Sequence, residues 1–197
     1  MPLLAAGSNA TGQLGLGSTE DAHEWLNTGT DIPIKQIATG AGHTLVLAKE
    51  GYVCVTGDRS KKQLLSSQLS DTTLEDIPPL PEEYAEYTCV GVAACWETSL
   101  FHLRCPQDHS KSDVILSCGQ NGFGELGSVQ NRAQDHLQEV DLPRQSTATP
   151  LRIKQMVAGM RHVLAVIDGV DDGDQLVGWG ASSKGQIGTP RTSNVIC

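Results

Sequence analysis

Apolar residues in this chain collect into short runs. Thr44–Leu47, Tyr52–Thr56, Ser99–Leu103, Val114–Cys118, Val163–Ile167 and Gln175–Trp179 are rich in Val, Leu and Ile and are bounded by Gly, Asp or Asn. Runs of that length between turn-forming residues predict strands, and the chain reads as all-β. Lys49-Glu50-Gly51 predicts the hairpin turn between the first two, because Gly accepts a positive φ. The corresponding links are Arg104–Asp113 in the middle of the chain and an acidic loop, Asp168–Asp174, near its end. Polar, proline-bearing connectors at Ser66–Glu86 and Ser128–Arg152 predict surface crossings that include an outer strand, such as Tyr87–Val90 or Gln138–Val140.

Between these runs one nine-residue phrase recurs four times. It reads GSNATGQLG from Gly7, GDRSKKQLL from Gly57, GQNGFGELG from Gly119 and GASSKGQIG from Gly180. Its later glycines are Gly12 and Gly15, Gly124 and Gly127, and Gly185 and Gly188, while the second copy has lost both. The copies start about 50 to 60 residues apart, the spacing of stacked β-units. A second element recurs out of phase, as IATGAGHTLVL from Ile37, VAACWETSLFHL from Val92 and VAGMRHVLAVI from Val157. Each pairs a small residue (Gly40, Ala94, Gly159) with a polar one three positions on (His43, Glu97, His162), then turns apolar. The alternation gives units at 35–65, 87–128 and 153–189 and an orphan half at 3–17, in a single domain spanning 1–197.

Each recurrent residue has a physical use. The glycines suit tight turns where a Cβ would strike a neighbouring sheet. The Leu or Ile that closes the phrase can drop between sheets, and the Gln or Glu before it can bond turn backbone that would otherwise be buried unpaired. His43 and His162 read as structural imidazoles that bridge backbone groups of adjacent units.

The two half-units together resemble the RCC1 repeat, through G-x-x-H, the strand pair after it and G-x-N-x-x-G-Q-L-G. The resemblance implies a β-propeller of seven blades, of which this chain carries about three to four. Its orphan opening half has no strands left at Thr189–Cys197 to complete it, so the ring reads as incomplete. The segment Ala94–Thr98, and the opening strand running straight into Gly7-Ser8-Asn9, look like a fungal branch of the family. That branch implies a non-catalytic scaffold for a small zinc-binding electron carrier, serving diphthamide synthesis and Elongator-dependent modification of tRNA wobble uridines. The alternative is a nucleotide-exchange regulator of a Ran-type small GTPase, although no wedge loop and no basic tail stands out.

Composition narrows the classes further. The 197 residues carry a net charge of −9 with a pI near 5.0, which leaves no basic footprint for nucleic acid. Acidic residues gather at Asp71, Glu75, Asp76, Glu82, Glu83 and Glu86 and again at Asp171, Asp172 and Asp174, as solvated loops. Six cysteines without a C-x-x-C, no charged leader and no apolar stretch approaching ~18 residues point to free thiols in the cytoplasm, with the nucleus as a second location.

Little in the chain reads as catalytic. The phrases have P-loop glycine spacing, but Gln13-Leu14, Glu125-Leu126 and Gln186-Ile187 stand where a P-loop needs Lys and then Ser or Thr. His102, Cys105 and His109 form H-x-x-C-x-x-x-H in one loop, a poor zinc set that reads as polar surface. Neither a cofactor nor a metal is expected. The candidate partner-binding residues are Trp96 and Glu97, with Arg161 and Trp25. Trp96 takes the place of Gly42 and Arg161 in the turn before the strand, on one rim of the array, and Trp25 follows the first phrase in a loop that shares that rim. Trp179 reads as core.

Overall fold

A computed structural model of the chain describes residues 2–65, 70–128, 134–143, 149–168 and 173–188. Among these residues the strands form four antiparallel sheets. The first holds β1 (Leu4–Gly7) and β2 (Ala22–Asn27). The second runs in chain order through β3 (Ile34–Thr39), β4 (His43–Ala48), β5 (Val53–Gly57) and β6 (Glu75–Asp76). The third repeats that order with β7 (Thr88–Ala94), β8 (Thr98–Arg104), β9 (Val114–Gly119) and β10 (Gln134–Glu139). The fourth holds β11 (Ile153–Ala158), β12 (His162–Asp168) and β13 (Asp174–Gly180). A single 3-10 turn at Glu82–Tyr84 interrupts the connector before β7, and no α-helix occurs among the described residues.

The first strands of neighbouring sheets touch, β3 on β7 and β7 on β11, so the sheets fan outward from a common axis as propeller blades. Gln36 fastens two of these inner strands together. Its Nε2 donates to the Val92 carbonyl at 2.8 Å, and the Val92 N–H donates to its Oε1 at 3.0 Å. Among the described residues two apolar cores lie between the blades. Leu45, Leu47, Val53 and Val55 meet Phe101, Leu103, Val114 and Leu116 on one side of the third sheet. Leu100 and Ile115 meet Val163, Ala165, Ile167 and Trp179 on the other. Successive strand residues point to opposite faces, so a sheet covered on both faces reads as a continuous apolar run. Every residue of β9 is accordingly buried, whereas β12 alternates between buried and half-buried.

The recurrent phrase is the wedge between blades. Leu64 and Leu126 are wholly buried at the sheet interfaces. The Gln or Glu before the apolar residue accepts the N–H two residues back in every copy: Thr11 to Gln13 at 3.0 Å, Lys61 to Gln63 at 2.9 Å, Phe123 to Glu125 at 2.7 Å and Lys184 to Gln186 at 2.8 Å. Asn9 and Asn121 add a second brace, accepting the N–H of Leu14 and Leu126 at 2.9 Å each. The phrase opens with Gly57, Gly119 and Gly180 at φ between +95° and +114°. A Cβ there would strike the carbonyl of Gly42, Glu97 or Arg161 in the turn before the second strand. The eroded copy keeps the same left-handed path without glycine, with Lys62 at φ 64° and Leu65 at φ 63°.

The turn before the second strand corrects the sequence register of the middle unit by one residue. Gly40 donates its N–H to the His43 carbonyl at 2.9 Å and Gly159 to that of His162 at 2.8 Å, and in the third sheet the same bond runs from Cys95 to Thr98 at 2.8 Å. Cys95 and Thr98, rather than Ala94 and Glu97, therefore hold the small and polar positions. The reason is steric. The imidazole of His43 folds over Gly40, where any Cβ would collide with it, and without an imidazole at Thr98 the third sheet can carry a cysteine instead. His43 bridges to the next blade through the Ser99 hydroxyl, with its Nε2 3.1 Å from Ser99 Oγ, and not through backbone groups. Tyr87–Val90 also differs from expectation. Thr88–Val90 belong to β7, the inner strand of the third sheet, while Gln138 and Glu139 do lie on the outer strand β10. Asp171, Asp172 and 189–197 lie outside the described residues.

Two outcomes follow for stability. Lys62 spends conformational energy in a glycine-type position, so Lys62→Gly is expected to stabilise by about 1 kcal/mol and raise the melting temperature by about 2–4 °C, read by calorimetry. Burial lowers the pKa of His43 to about 4, against a smaller opposing effect of Asp58. Folding therefore favours the neutral imidazole. Stability is full above the unfolded value near 6.5 and falls as pH drops toward about 4, by about 3 kcal/mol at roughly 1.36 kcal/mol per unit. Urea titrations at pH 7 and 4.5 measure this loss, and His43→Gln removes most of it.

Candidate functional site

The turns that precede the second strands stand in a row on one rim. They are Gly40–Gly42, Cys95–Glu97 and Gly159–Arg161. Their tips are joined by backbone bonds from blade to blade: Ala41 N–H donates to the Trp96 carbonyl at 2.9 Å, and Trp96 N–H donates to the Met160 carbonyl at 2.7 Å. The phrase tips arrive on the same rim and lean on the next blade's turn. Thr11 Oγ1 donates to the Gly42 carbonyl at 2.9 Å, and the Arg161 guanidinium lies 4.5 Å over the ring of Phe123. A cation over an aromatic face adds about 0.5–1 kcal/mol at an exposed site and holds both planes in place.

The result is a compact surface of apolar anchors around a cation. Trp96 is 43 % exposed, Phe123 40 % and Met160 61 %. Beneath them Glu125 is buried, with its carbonyl accepting Trp179 Nε1–H at 2.9 Å. Burial raises the pKa of the Glu125 carboxyl. The Phe123 N–H, its own N–H and the charge of Arg161 pull it back, and Glu97 pushes it up. Arg161 thus lies over the Phe123 ring and acts on the carboxylate of Glu125 beneath it. Among the described residues this rim pairs no nucleophile with a base.

The structure brings Trp96, Glu97 and Arg161 together and leaves Trp25 apart. Trp25 lies on strand β2 of the first sheet, 72 % exposed, and not in a loop. The whole second sheet stands between it and the blade of Trp96. Trp96 itself takes the place of Ala41 and Met160, and Glu97 that of Gly42 and Arg161, through the same one-residue correction. Trp179 is fully buried. The sequence pattern does not single out Met160. A signal existed for Phe123, which replaces Thr11, Lys61 and Lys184 at the fifth position of the phrase.

His102, Cys105 and His109 do not share a loop. His102 is on β8, its Nε2 3.0 Å from Asp113 Oδ2. Asp113 is buried and also bonds Arg104, Arg152 (Nη1 at 3.1 Å) and the Ile153 N–H at 2.9 Å, which clasps the third blade to the fourth. Burial would raise its pKa, but the bonds from His102, Arg104 and Ile153 outweigh that and hold the carboxyl below the usual range. Among the described residues no group of three His, Cys, Asp or Glu side chains converges on a metal position. Cys54, Cys89, Cys95, Cys105 and Cys118 are buried free thiols.

Comparison with known proteins agrees with the fold. Residues 3–47 match the model of the Regulator of chromosome condensation (RCC1) repeat. An RCC1 repeat-containing protein of Schizosaccharomyces pombe is 30 % identical over 193 residues, covering 94 % of this chain and 50 % of that protein. The secretion-regulating guanine nucleotide exchange factor of Bos taurus is 31 % identical over 172 residues, covering 83 % of this chain and 32 % of its own length. The chain thus spans half or less of these relatives. Among solved structures, Prp20p of Saccharomyces cerevisiae, described with its binding to Gsp1p and histones, superposes with a TM-score of 0.74 at 20 % identity, over 98 % of this chain and 44 % of that one.

Proposed function

The chain belongs to the RCC1-repeat family, and from that membership we propose that it is a non-catalytic scaffold that docks a protein partner on the rim of Trp96, Phe123, Met160 and Arg161. The observation that carries this reading is the backbone chain through Ala41, Trp96 and Met160. It fixes three turn tips before any partner arrives, so little ordering entropy is lost on binding. Aromatic, Met and Arg side chains are the residue types that anchor protein interfaces.

The partner in this reading is a small zinc-binding electron carrier of the diphthamide pathway. The scaffold then supports diphthamide synthesis and Elongator-dependent tRNA wobble-uridine modification, in the cytoplasm and nucleus. The likeness of Ala94–Thr98 to the fungal alpha-tubulin suppressor protein supports it. A second reading, nucleotide exchange on a small GTPase, is favoured by the similarity to the bovine exchange factor.

Calorimetric titration of the folded chain against the zinc protein tests the first reading. The double variant Trp96→Ala, Arg161→Ala is expected to bind at least about tenfold more weakly, and Trp25→Ala to bind unchanged. Undiminished affinity in the folded double variant would remove the rim from the account. Accelerated nucleotide release from a GTPase panel, without zinc-protein binding, would favour the second reading.

A further inference from the structure

Two adjacent blade junctions share a plan and differ at one position. Gly51 and Asp113 each stand six residues before the glycine that opens a phrase, Gly57 and Gly119, at the end of the sheet away from the Trp96 rim. The N–H of Ile77 bonds the Val53 carbonyl at 3.0 Å, as that of Val140 bonds the Ile115 carbonyl at 2.8 Å, so the connectors leave both sheets in the same register. At the junction of the third and fourth sheets Asp113 bonds Arg104, Arg152 and the Ile153 N–H. A space of about 40 Å³ lies beside it, walled by Val140, Leu142 and Leu151. At the junction of the second and third sheets Gly51 replaces that carboxylate. A Cβ there would strike Thr88 Cγ2, so the position admits no clasping side chain.

A cleft of about 260 Å³ opens there instead. It reaches down to Phe101 and Leu103, both buried, between walls of Tyr52, Ile77, Pro78 and Leu80. Pro78 and Pro79 have no N–H to continue the ladder, and the outer strand stops at Asp76. The connector is nevertheless held in place. Ile77 and Leu80 pack on the apolar core, and the Tyr84 hydroxyl donates to Glu139 of β10 at 2.9 Å. Size limits the occupant. An apolar cavity of roughly 150 Å³ admits a benzene ring, and sites for drug-sized ligands run to about 300–1,000 Å³. This cleft therefore fits one large side chain and not a cofactor. Charge sets what flanks that side chain. Within 49–53 and 75–84, Glu50, Glu75, Asp76, Glu82 and Glu83 stand against one cation, Lys49. The Cys54 thiol donates to Asp76 Oδ1 at 3.2 Å and holds this carboxylate at the mouth. The pKa of Tyr52 is raised, by desolvation first and then by Cys54, Glu50 and Asp76, which puts both carboxylates beside the opening. Lys35 of β3 acts on the Cys89 thiol in the lining and leaves the acidic excess in place.

We propose that this cleft docks a basic peptide segment of a partner protein. The segment inserts one large apolar side chain between the second and third blades and sets Lys or Arg residues on either side of it against Glu50 and Asp76. The apolar anchor supplies most of the affinity, and the exposed carboxylates steer the segment and fix its orientation. The missing clasp is what makes this junction receptive where its neighbour is closed. The site lies at the opposite end of the sheets from Trp96 and does not depend on the rim reading.

The probes are four synthetic peptides, acetylated and amidated, of sequence Lys-Arg-X-Arg-Lys with Leu, Met, Phe or Trp at X. Each is titrated into the intact 197-residue chain and followed by amide chemical shifts. At least one is expected to bind saturably, shifting the amides of Gly51, Ile77 and Leu80 and not those of Trp96 and Met160. Ala at X should weaken that peptide at least about tenfold, and Gln in place of its cations at least about threefold at low salt. The double variant Glu50→Gln, Asp76→Asn changes two exposed side chains and should bind the basic peptide at least about threefold more weakly and the Gln peptide unchanged. Should that variant fail to fold, salt decides in the unaltered chain: affinity for the basic peptide that does not fall with added salt overturns the proposal. No shift at Gly51, Ile77 and Leu80 with any of the four peptides overturns it, as does equal binding of the Ala peptide. Benzene that shifts these amides while no peptide does would assign the cleft to a small apolar molecule and overturn it too.

Discussion

One backbone contact organises the molecule: a glycine at the start of three of the four phrases, in left-handed conformation, pressed against the carbonyl of the turn that precedes the second strand. It occurs at Gly57, Gly119 and Gly180, and each time the following amide bonds that carbonyl. The contact fixes where the third strand ends relative to where the second begins. That in turn aims the rest of the phrase at the neighbouring blade, where Leu64 or Leu126 is buried and a Gln or Glu closes the loop on itself. A peptide group so close to backbone admits no Cβ, so the requirement is steric before it is energetic.

Packing between blades supplies most of the stabilisation, because the second and third sheets are two-faced layers with apolar side chains pointing both ways. Polar side chains then set the relative position of the blades. Gln36 copies a backbone ladder between inner strands, His43 reaches Ser99, and Asp113 gathers two arginines and a histidine at the junction of the third and fourth blades. Buried groups of this kind are costly unless fully paired, which makes them sensitive to pH and to single substitutions. The rim inherits its rigidity from the same frame. Trp96 is presented by a turn bonded on both sides, and Arg161 by a turn gripped from below by the fourth phrase.

Much of this was legible in the sequence because the signal repeats. Four phrases and three apolar half-units were enough to predict stacked β-units, the φ > 0 turns and the self-bonding Gln or Glu. The middle unit was misread by one residue because Cys95 and Thr98 replace the Gly and His of its neighbours, and the adjacent Ala94 and Glu97 mimicked the pattern. Strands β3 and β11 do not stand out in the sequence because Lys35 and Gln36, and Lys154 and Gln155, break their apolar runs. Trp25 reads as a loop residue in the sequence because exposed β2 has little apolar character. The Asp113 cluster joins residues 102, 104, 113 and 152, a relation that no local pattern encodes.

Gly119→Ala, compared with Gly122→Ala in the same phrase, tests the central contact most directly. A Cβ at Gly119 would strike the Glu97 carbonyl, whereas one at Gly122 meets nothing within 4 Å. The account predicts that chemical denaturation registers a loss of about 3 kcal/mol or more for the first and within about 0.5 kcal/mol for the second. Equal effects of the two substitutions would contradict it.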